Sequence, residues 1–330
     1  MKSLLRLVAL AVLVAVVGGA WAFRRLNQPY KGFSNPVFVE FAHGTSTRSI
    51  AKVLADKGVI KDRWLFLAAR GLRRGANLQA GEYKFDKPAS PLEILGRLAR
   101  GDIYYMELLV PEGFNMYDIA EAVGKLGTMQ PEAFLAAAQN PAMIRDLDPE
   151  APSLEGYLFP NKYRVYRHTT AEQICRMMTS EFRQRWKALG TPANVHDTVT
   201  LAAMVEREAR LPEERPVVAS VFQNRLRIGM KLDCDPTTVY AALLESRYRG
   251  IIHRSDLANR SPWNTYRHPG LPPGPIANPG LGAIEAVLAP AATPFLYFVA
   301  KADGSGGHNF SESLVQHYAA VAKYQRAVHH

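Results

Sequence analysis

Cysteine is almost missing from this chain: Cys175 and Cys234 are the only two among 330 residues. Two thiols so far apart in sequence build neither a disulfide framework nor a zinc site. Two buried free thiols are the expected state, with a single bridge as the alternative. Zinc-type patterning is missing too, since the nine histidines supply no His-x-x-x-His pair on a helix. No glycine-rich phosphate loop is present. The run Asp303-Gly304-Ser305-Gly306-Gly307 lacks the Gly-x-Ser-x-Gly frame of a serine-hydrolase elbow and reads as a hairpin turn. No metal and no cofactor is implied. Acidic residues are the scarcer charge, 30 against 40 basic ones, for a net charge of +10. A basic surface suits a polyanion. No nucleic-acid module is visible, which leaves membrane headgroups, an acidic wall polymer, or plain solubilising charge.

What is present begins with an apolar run. Lys2 and Arg6 precede an uncharged stretch from Leu7 to Phe23, and Arg24 and Arg25 follow it. Ala20-Trp21-Ala22 fits the small-x-small pattern of a cleaved signal peptide. The run is also close to membrane-spanning length, and Trp21 suits the bilayer interface. Residues 1–25 are read as a retained anchor, with a signal peptide as the alternative. Either way the rest of the chain is expected outside the cytoplasm. Its length and 48% hydrophobic content suffice for two domains, or one with a satellite.

An internal repeat lies between residues 39 and 127. Gly44, Ile50, Ala51 and Gly58 recur as Gly113, Ile119, Ala120 and Gly127, each displaced by 69 residues. Both copies read as a short strand, a glycine turn and an amphipathic helix closed by glycine. Ser46 or Thr47 is the expected cap of the first helix, and Asn115 of the second. Residues 78–85 alternate like a strand, and Ser90-Pro91 opens another helix. Residues 128–200 read as mostly helical, broken by the aromatic-rich stretch 153–163. Helices are then expected over about 196–210, with Asn194 as cap, and over about 213–228, ended by Gly229. Asn278-Pro279 reads as an N-cap and first helical residue. Residues 295–300 and 308–310 form a hairpin, and a last amphipathic helix begins near Ser311.

The stretch from Leu201 to Tyr240 carries the chemistry. Its first helix holds Glu206 and Glu208 beside an apolar stripe of Leu201, Ala202, Val205 and Ala209. At about 100° per residue the two carboxylates fall about 80° to either side of that stripe. They border it on opposite flanks and cannot face one another across one bond, so they are no acid–base dyad by themselves. An apolar wall is what a carboxyl needs to hold a proton near neutral pH. Helical geometry alone does not choose between the two; the plain reading of either is a salt-bridged flank residue.

These residues, with SLEGYLFPNKY, SPWNTYRHPGLPPGPIANPG and FLYFVAKADGSGGHNF, resemble the MltG (YceG-like) family of membrane-anchored endolytic murein transglycosylases. The resemblance covers nearly the whole chain, with several motifs in order. It implies an α+β fold with an N-terminal transmembrane helix (residues 1–25), a LysM-like α+β region with the repeat (26–127) and a mixed α+β catalytic lobe (128–330). It implies that Glu206, the first glutamate of V-E-x-E, is the catalytic acid, with Glu208 supporting. Asn224, Asp235, Thr237, Tyr240, Asn264, Thr265, Tyr266 and Asn278 are the expected lining of a sugar cleft, with His308 as a further contact. Singly, each has a plainer reading, such as a local backbone bond for Asn224 or a turn at Asp235-Pro236. One departure is Asn161-Lys162, where the family usually has Asp-Thr; it puts a carboxylate role at that position in doubt.

The implied reaction is cleavage of the MurNAc–GlcNAc bond of peptidoglycan without water. One carboxylic acid protonates the leaving oxygen, then accepts the proton of the sugar's own 6-hydroxyl as a 1,6-anhydro ring closes, so one acid suffices. The implied setting is the inner membrane, beside wall-synthesis enzymes, with glycan strands as partner and no nucleic acid. The alternatives are a non-catalytic peptidoglycan-binding scaffold, and a lysozyme-type hydrolase with Asp235 as second carboxylate.

Overall fold

Apolar patterning at two periods builds two separate cores. The computed structural model describes residues 2–328, and the chain divides into one unit running to Tyr105 and another from Met106 onward.

The first unit opens with α1 (Lys2–Asn27), an unbroken helix. Its stretch Leu5–Asn27 is long and apolar enough to cross a bilayer, as expected of a single-pass anchor. Leu26, in its last turn, is buried in the unit's core with Phe41, Leu54, Phe66, Tyr83 and Leu95. Then come β1 (Val37–Phe41), α2 (Thr47–Asp56), α3 (Arg63–Leu72), β2 (Gly81–Phe85) and α4 (Pro91–Arg100). β1 and β2 pair antiparallel, Val37 opposite Phe85. α4 starts as Ser90-Pro91 predicts, with a capping box in which Ser90 and Glu93 satisfy each other's backbone N–H.

The second unit begins with β3 (Met106–Val110), α5 (Met116–Lys125), α6 (Pro131–Ala138) and β4 (Asn161–Val165), and β3 and β4 pair antiparallel. α7 (Ala171–Leu189), α8 (Val195–Glu208), α9 (Arg215–Arg227), α10 (Asp235–Leu244), α11 (Arg254–Leu257) and α12 (Leu281–Leu288) follow. The hairpin of β5 (Tyr297–Ala300) and β6 (His308–Ser311) precedes the last helix, α13 (Leu314–Val328). α8 is the central helix. It is buried without a break from Thr198 to Val205 and packs against α9, α10 and α12.

The repeat carries into three dimensions. β1 and α2 reappear as β3 and α5 at the same 69-residue offset, end for end. Gly44 and Gly113 both sit at positive φ (83° and 78°), a backbone that glycine enters without a Cβ clash. Ser46 caps α2 by accepting from the Ser49 N–H, and Asn115 caps α5 by accepting from those of Tyr117 and Asp118. The unit boundary falls between the copies, so the first lies within one unit and the second opens the other.

Two local expectations are corrected. The helix after Pro279 begins at Leu281 with Gly280 at its N-cap, because the Asn278 side chain is committed to the interior. Ser311 ends β6, so α13 starts three residues later. Cys175 and Cys234 are both buried and free.

Candidate active site

α8 leaves the core over its final turn, and the two glutamates emerge on opposite flanks as the helical angle requires. Glu206 lies on a closed flank, its side chain only 6% exposed. Its Oε1 accepts from the Arg215 guanidinium at 2.9 Å, and its Oε2 from the Gly280 N–H at 3.0 Å. Arg215, the first residue of α9, also reaches Glu112 at 3.2 Å. Burial raises the Glu206 carboxyl above its ordinary range, while the Gly280 N–H and the Arg215 charge pull it back. On this flank the Glu206 carboxylate is held by Arg215 and the Gly280 N–H.

Glu208 lies on an open flank. It borders a groove of about 470 Å³ whose walls include Asp235, Tyr266, Tyr297, Phe298 and His308. Its Oε1 accepts from the Cys234 thiol at 3.2 Å. Burial pushes this carboxyl up to about 7, with the Asp235 charge adding to the rise and the Cys234 bond and Arg207 charge opposing it.

The segment carrying Cys234 is held by side chains beneath the groove. The Thr265 hydroxyl accepts from the Cys234 N–H at 3.0 Å, and the Thr237 hydroxyl donates to the Cys234 carbonyl at 2.6 Å. The two hydroxyls lie 2.9 Å apart. Arg225 donates to the Lys231 and Leu232 carbonyls from one side and to the Leu296 carbonyl from the other, joining this segment to the start of β5. On the groove wall, the Tyr266 hydroxyl donates to Asp235 at 2.6 Å. His308 meets Phe298 edge-on, with Nδ1 2.7 Å from Glu214 and its backbone N–H donating to the same carboxylate.

The expected cleft residues therefore separate into two sets. Glu208, Asp235, Tyr266 and His308 line the groove. Asn224, Thr237, Tyr240, Asn264, Thr265 and Asn278 are buried and bind protein instead. Asn224 donates to the Thr293 and Phe295 carbonyls. Asn264 donates to those of Asp256, Leu257 and Asn259. Asn278 spans Phe114, Leu158 and Glu155, and Tyr240 packs on Trp263. Asn161 and Lys162 are exposed at the start of β4, Lys162 pairing with Glu107, so the departure there leaves the groove untouched.

Sequence reasoning passed over Arg225, Tyr297, Phe298 and Glu214 as parts of this site. It also passed over Glu155, the lone acid of the aromatic stretch 153–163. Glu155 is fully buried, accepts from Asn278 at 2.7 Å and from the Met116 N–H at 2.9 Å, and is pushed by burial up to about 8. An acid amid Leu, Tyr and Phe was the available signal.

A carboxyl that burial pushes up to about 7, at the edge of an open groove, has the properties that general-acid chemistry requires. The chain belongs to the YceG-like family, whose sequence model matches residues 39–323. It is 32% identical over 332 residues to the endolytic murein transglycosylase of Bacillus subtilis, covering 94% of this chain and 91% of that one. An endolytic murein transglycosylase of Streptococcus pneumoniae is 29% identical over 80% of this chain, which spans 54% of that longer relative. The crystal structure of a YceG-like protein from Listeria monocytogenes superposes with a TM-score of 0.55 at 30% identity, over 87% of this chain and 99% of that one.

Proposed function

We propose that the protein is an endolytic peptidoglycan transglycosylase, a lyase that cuts the MurNAc–GlcNAc bond and leaves 1,6-anhydro-MurNAc ends, with Glu208 as its acid. The observation that carries the reading is that, of the two glutamates on α8, only Glu208 lines the groove, without a cation bound to its carboxylate. Glu206 is salt-bridged to Arg215 and sealed beneath Gly280, where it fixes the junction of α8, α9 and the loop before α12. Protonated Glu208 donates to the glycosidic oxygen. Its carboxylate then takes the proton of the MurNAc 6-hydroxyl as O6 bonds to C1, so one group serves as acid and base. Asp235, aligned by Tyr266, supplies negative charge beside the oxocarbenium-like transition state, and His308, oriented by Glu214, is a sugar contact.

In this reading α1 anchors the chain in the inner membrane with both units on the extracytoplasmic side. The region of residues 26–127 is LysM-like, and nascent glycan strands made by neighbouring wall-synthesis enzymes are the substrate. The test is to digest purified sacculi with the full chain, Glu208→Gln and Glu206→Gln, and to identify chain ends by mass spectrometry. Anhydro ends are expected from the unmodified chain, reduced at least about 100-fold in Glu208→Gln and largely retained in folded Glu206→Gln. Reducing ends would mean hydrolysis, and no cleavage would leave a binding scaffold. An active Glu208→Gln beside a folded, dead Glu206→Gln would return the acid to Glu206.

A further inference from the structure

The charge of this protein is not spread along the chain. Residues 106–330 hold 23 basic and 23 acidic side chains, so the groove-bearing unit is formally neutral. The whole excess lies in residues 1–105, with 17 basic against 7 acidic. A basic balance serving to attract wall polymer into the Glu208 groove would sit on the second unit. It sits on the unit that carries the apolar helix.

Within that unit four of the basic side chains line one groove. It measures about 700 Å³, and Asn27, Arg73, Lys87, Arg97 and Arg100 line it. Its two acids are already engaged: Glu93 accepts from the Ser90 N–H at 2.7 Å, and Asp86 pairs with Lys84 at 3.2 Å; of its cations, Arg100 pairs with Asp102 at 2.7 Å on the exposed rim. Arg97 is fixed by donating to the Lys84 carbonyl while lying over the Phe85 ring. The groove is also tied to the anchor. Asn27 is the last residue of α1, and Leu26 beside it is buried in the unit's core, so no free linker separates helix from groove. α3, which packs on α1, leaves Trp64 and Leu72 exposed, with the Arg63 guanidinium over the Trp64 ring. An exposed tryptophan among arginines is the composition of a membrane–water interface.

We propose that this groove and its surroundings bind the phosphate headgroups of anionic phospholipids in the membrane that α1 crosses. The chemistry is a phosphodiester monoanion held by two or three guanidinium and ammonium groups. A headgroup bound there would pin the first unit against the bilayer. This inference rests on the anchor reading given above.

The test uses the full chain in nanodiscs of equal parts phosphatidylglycerol and phosphatidylcholine. Retained lipid is counted by native mass spectrometry, for the unmodified chain and for Arg73→Gln/Lys87→Gln/Arg100→Gln. Each basic side chain near an anionic surface is worth roughly fivefold in affinity. Retention of phosphatidylglycerol over phosphatidylcholine is expected in the unmodified chain, falling at least about tenfold in the variant, with cleavage of sacculi unchanged. Equal retention of the two lipids, or full enrichment in the variant, overturns the proposal while leaving the anchor reading intact. A chain that washes off membranes at high pH overturns both. Displacement of the lipid by millimolar glycerol phosphate would reassign the groove to a soluble phosphate ligand and overturn the membrane source.

Discussion

The thiol of Cys234 donates to Glu208 at 3.2 Å and so favours the ionised carboxylate. Removing that donor should raise the pKa of Glu208 further. A single hydrogen bond is worth about 0.5–1.5 kcal/mol net, and a pKa unit about 1.36 kcal/mol, so Cys234→Ala should shift the titration up by about 0.4–1 unit. The carboxyl already titrates at about 7. In the proposed mechanism it must be protonated in the free enzyme, so activity should decline as pH rises through that value. The alkaline limb of kcat/KM should therefore move to higher pH in Cys234→Ala, extending the active range. Cys234→Ser, which keeps a donor and strengthens it, should move the same limb to lower pH.

The assay is release of anhydro ends from soluble glycan strands between pH 5 and 9, read as kcat/KM, which reports the free enzyme. Folding is the competing explanation. Cys234 is only 1% exposed, and emptying its site costs on the order of 1 kcal/mol. A lower stability scales the whole profile or leaves it alone; it does not move one limb in opposite directions in two variants. Limbs that stay put, or that shift the same way in both, would refute the coupling and with it Glu208 as the acid.

Three further outcomes follow from the packing. Arg215→Ala leaves the Glu206 carboxylate buried without its cation and should cost about 3–5 kcal/mol in denaturant unfolding. Gly156→Ala places a Cβ 2.4 Å from Pro275 and 2.9 Å from Val199 at φ 87°, against groups that cannot swing away; a loss of about 3 kcal/mol or more is expected by the same measurement. Glu155 is held protonated by burial with a value of about 8, so the folded state binds a proton the unfolded chain has released. Stability should therefore fall as pH rises from about 4.5 to about 8 and level off above that, and Glu155→Gln, though less stable at low pH, should lose that fall in Tm measured from about pH 5 to 9.

Much of this arrangement was legible in the sequence, and the part that was not has one physical cause. The repeat, its caps and the angular separation of Glu206 from Glu208 depend on local periodicity, and all of them appear in the structure as read. Which glutamate meets a groove depends on what distant segments place against each flank. Gly280 and Arg215 close one side, and the hairpin near His308 leaves the other open. The same cause explains the misread asparagines and threonines. Between Arg254 and Gly280 the backbone is nearly without regular structure, yet much of it is buried. Buried carbonyls need donors, and where no helix or strand supplies them a side-chain amide must. Asn264 serves three such carbonyls at once, and Asn278 both donates and accepts. A run of neutral polar residues in a proline- and glycine-rich stretch thus carries two readings, a sugar lining or the internal scaffold of an irregular wall. Burial decides between them. It leaves Asp235, Tyr266 and His308 facing the groove beside Glu208. Tyr266→Phe, which strips a hydroxyl from the groove wall, should therefore raise KM, while Asn264→Ala should lower stability instead.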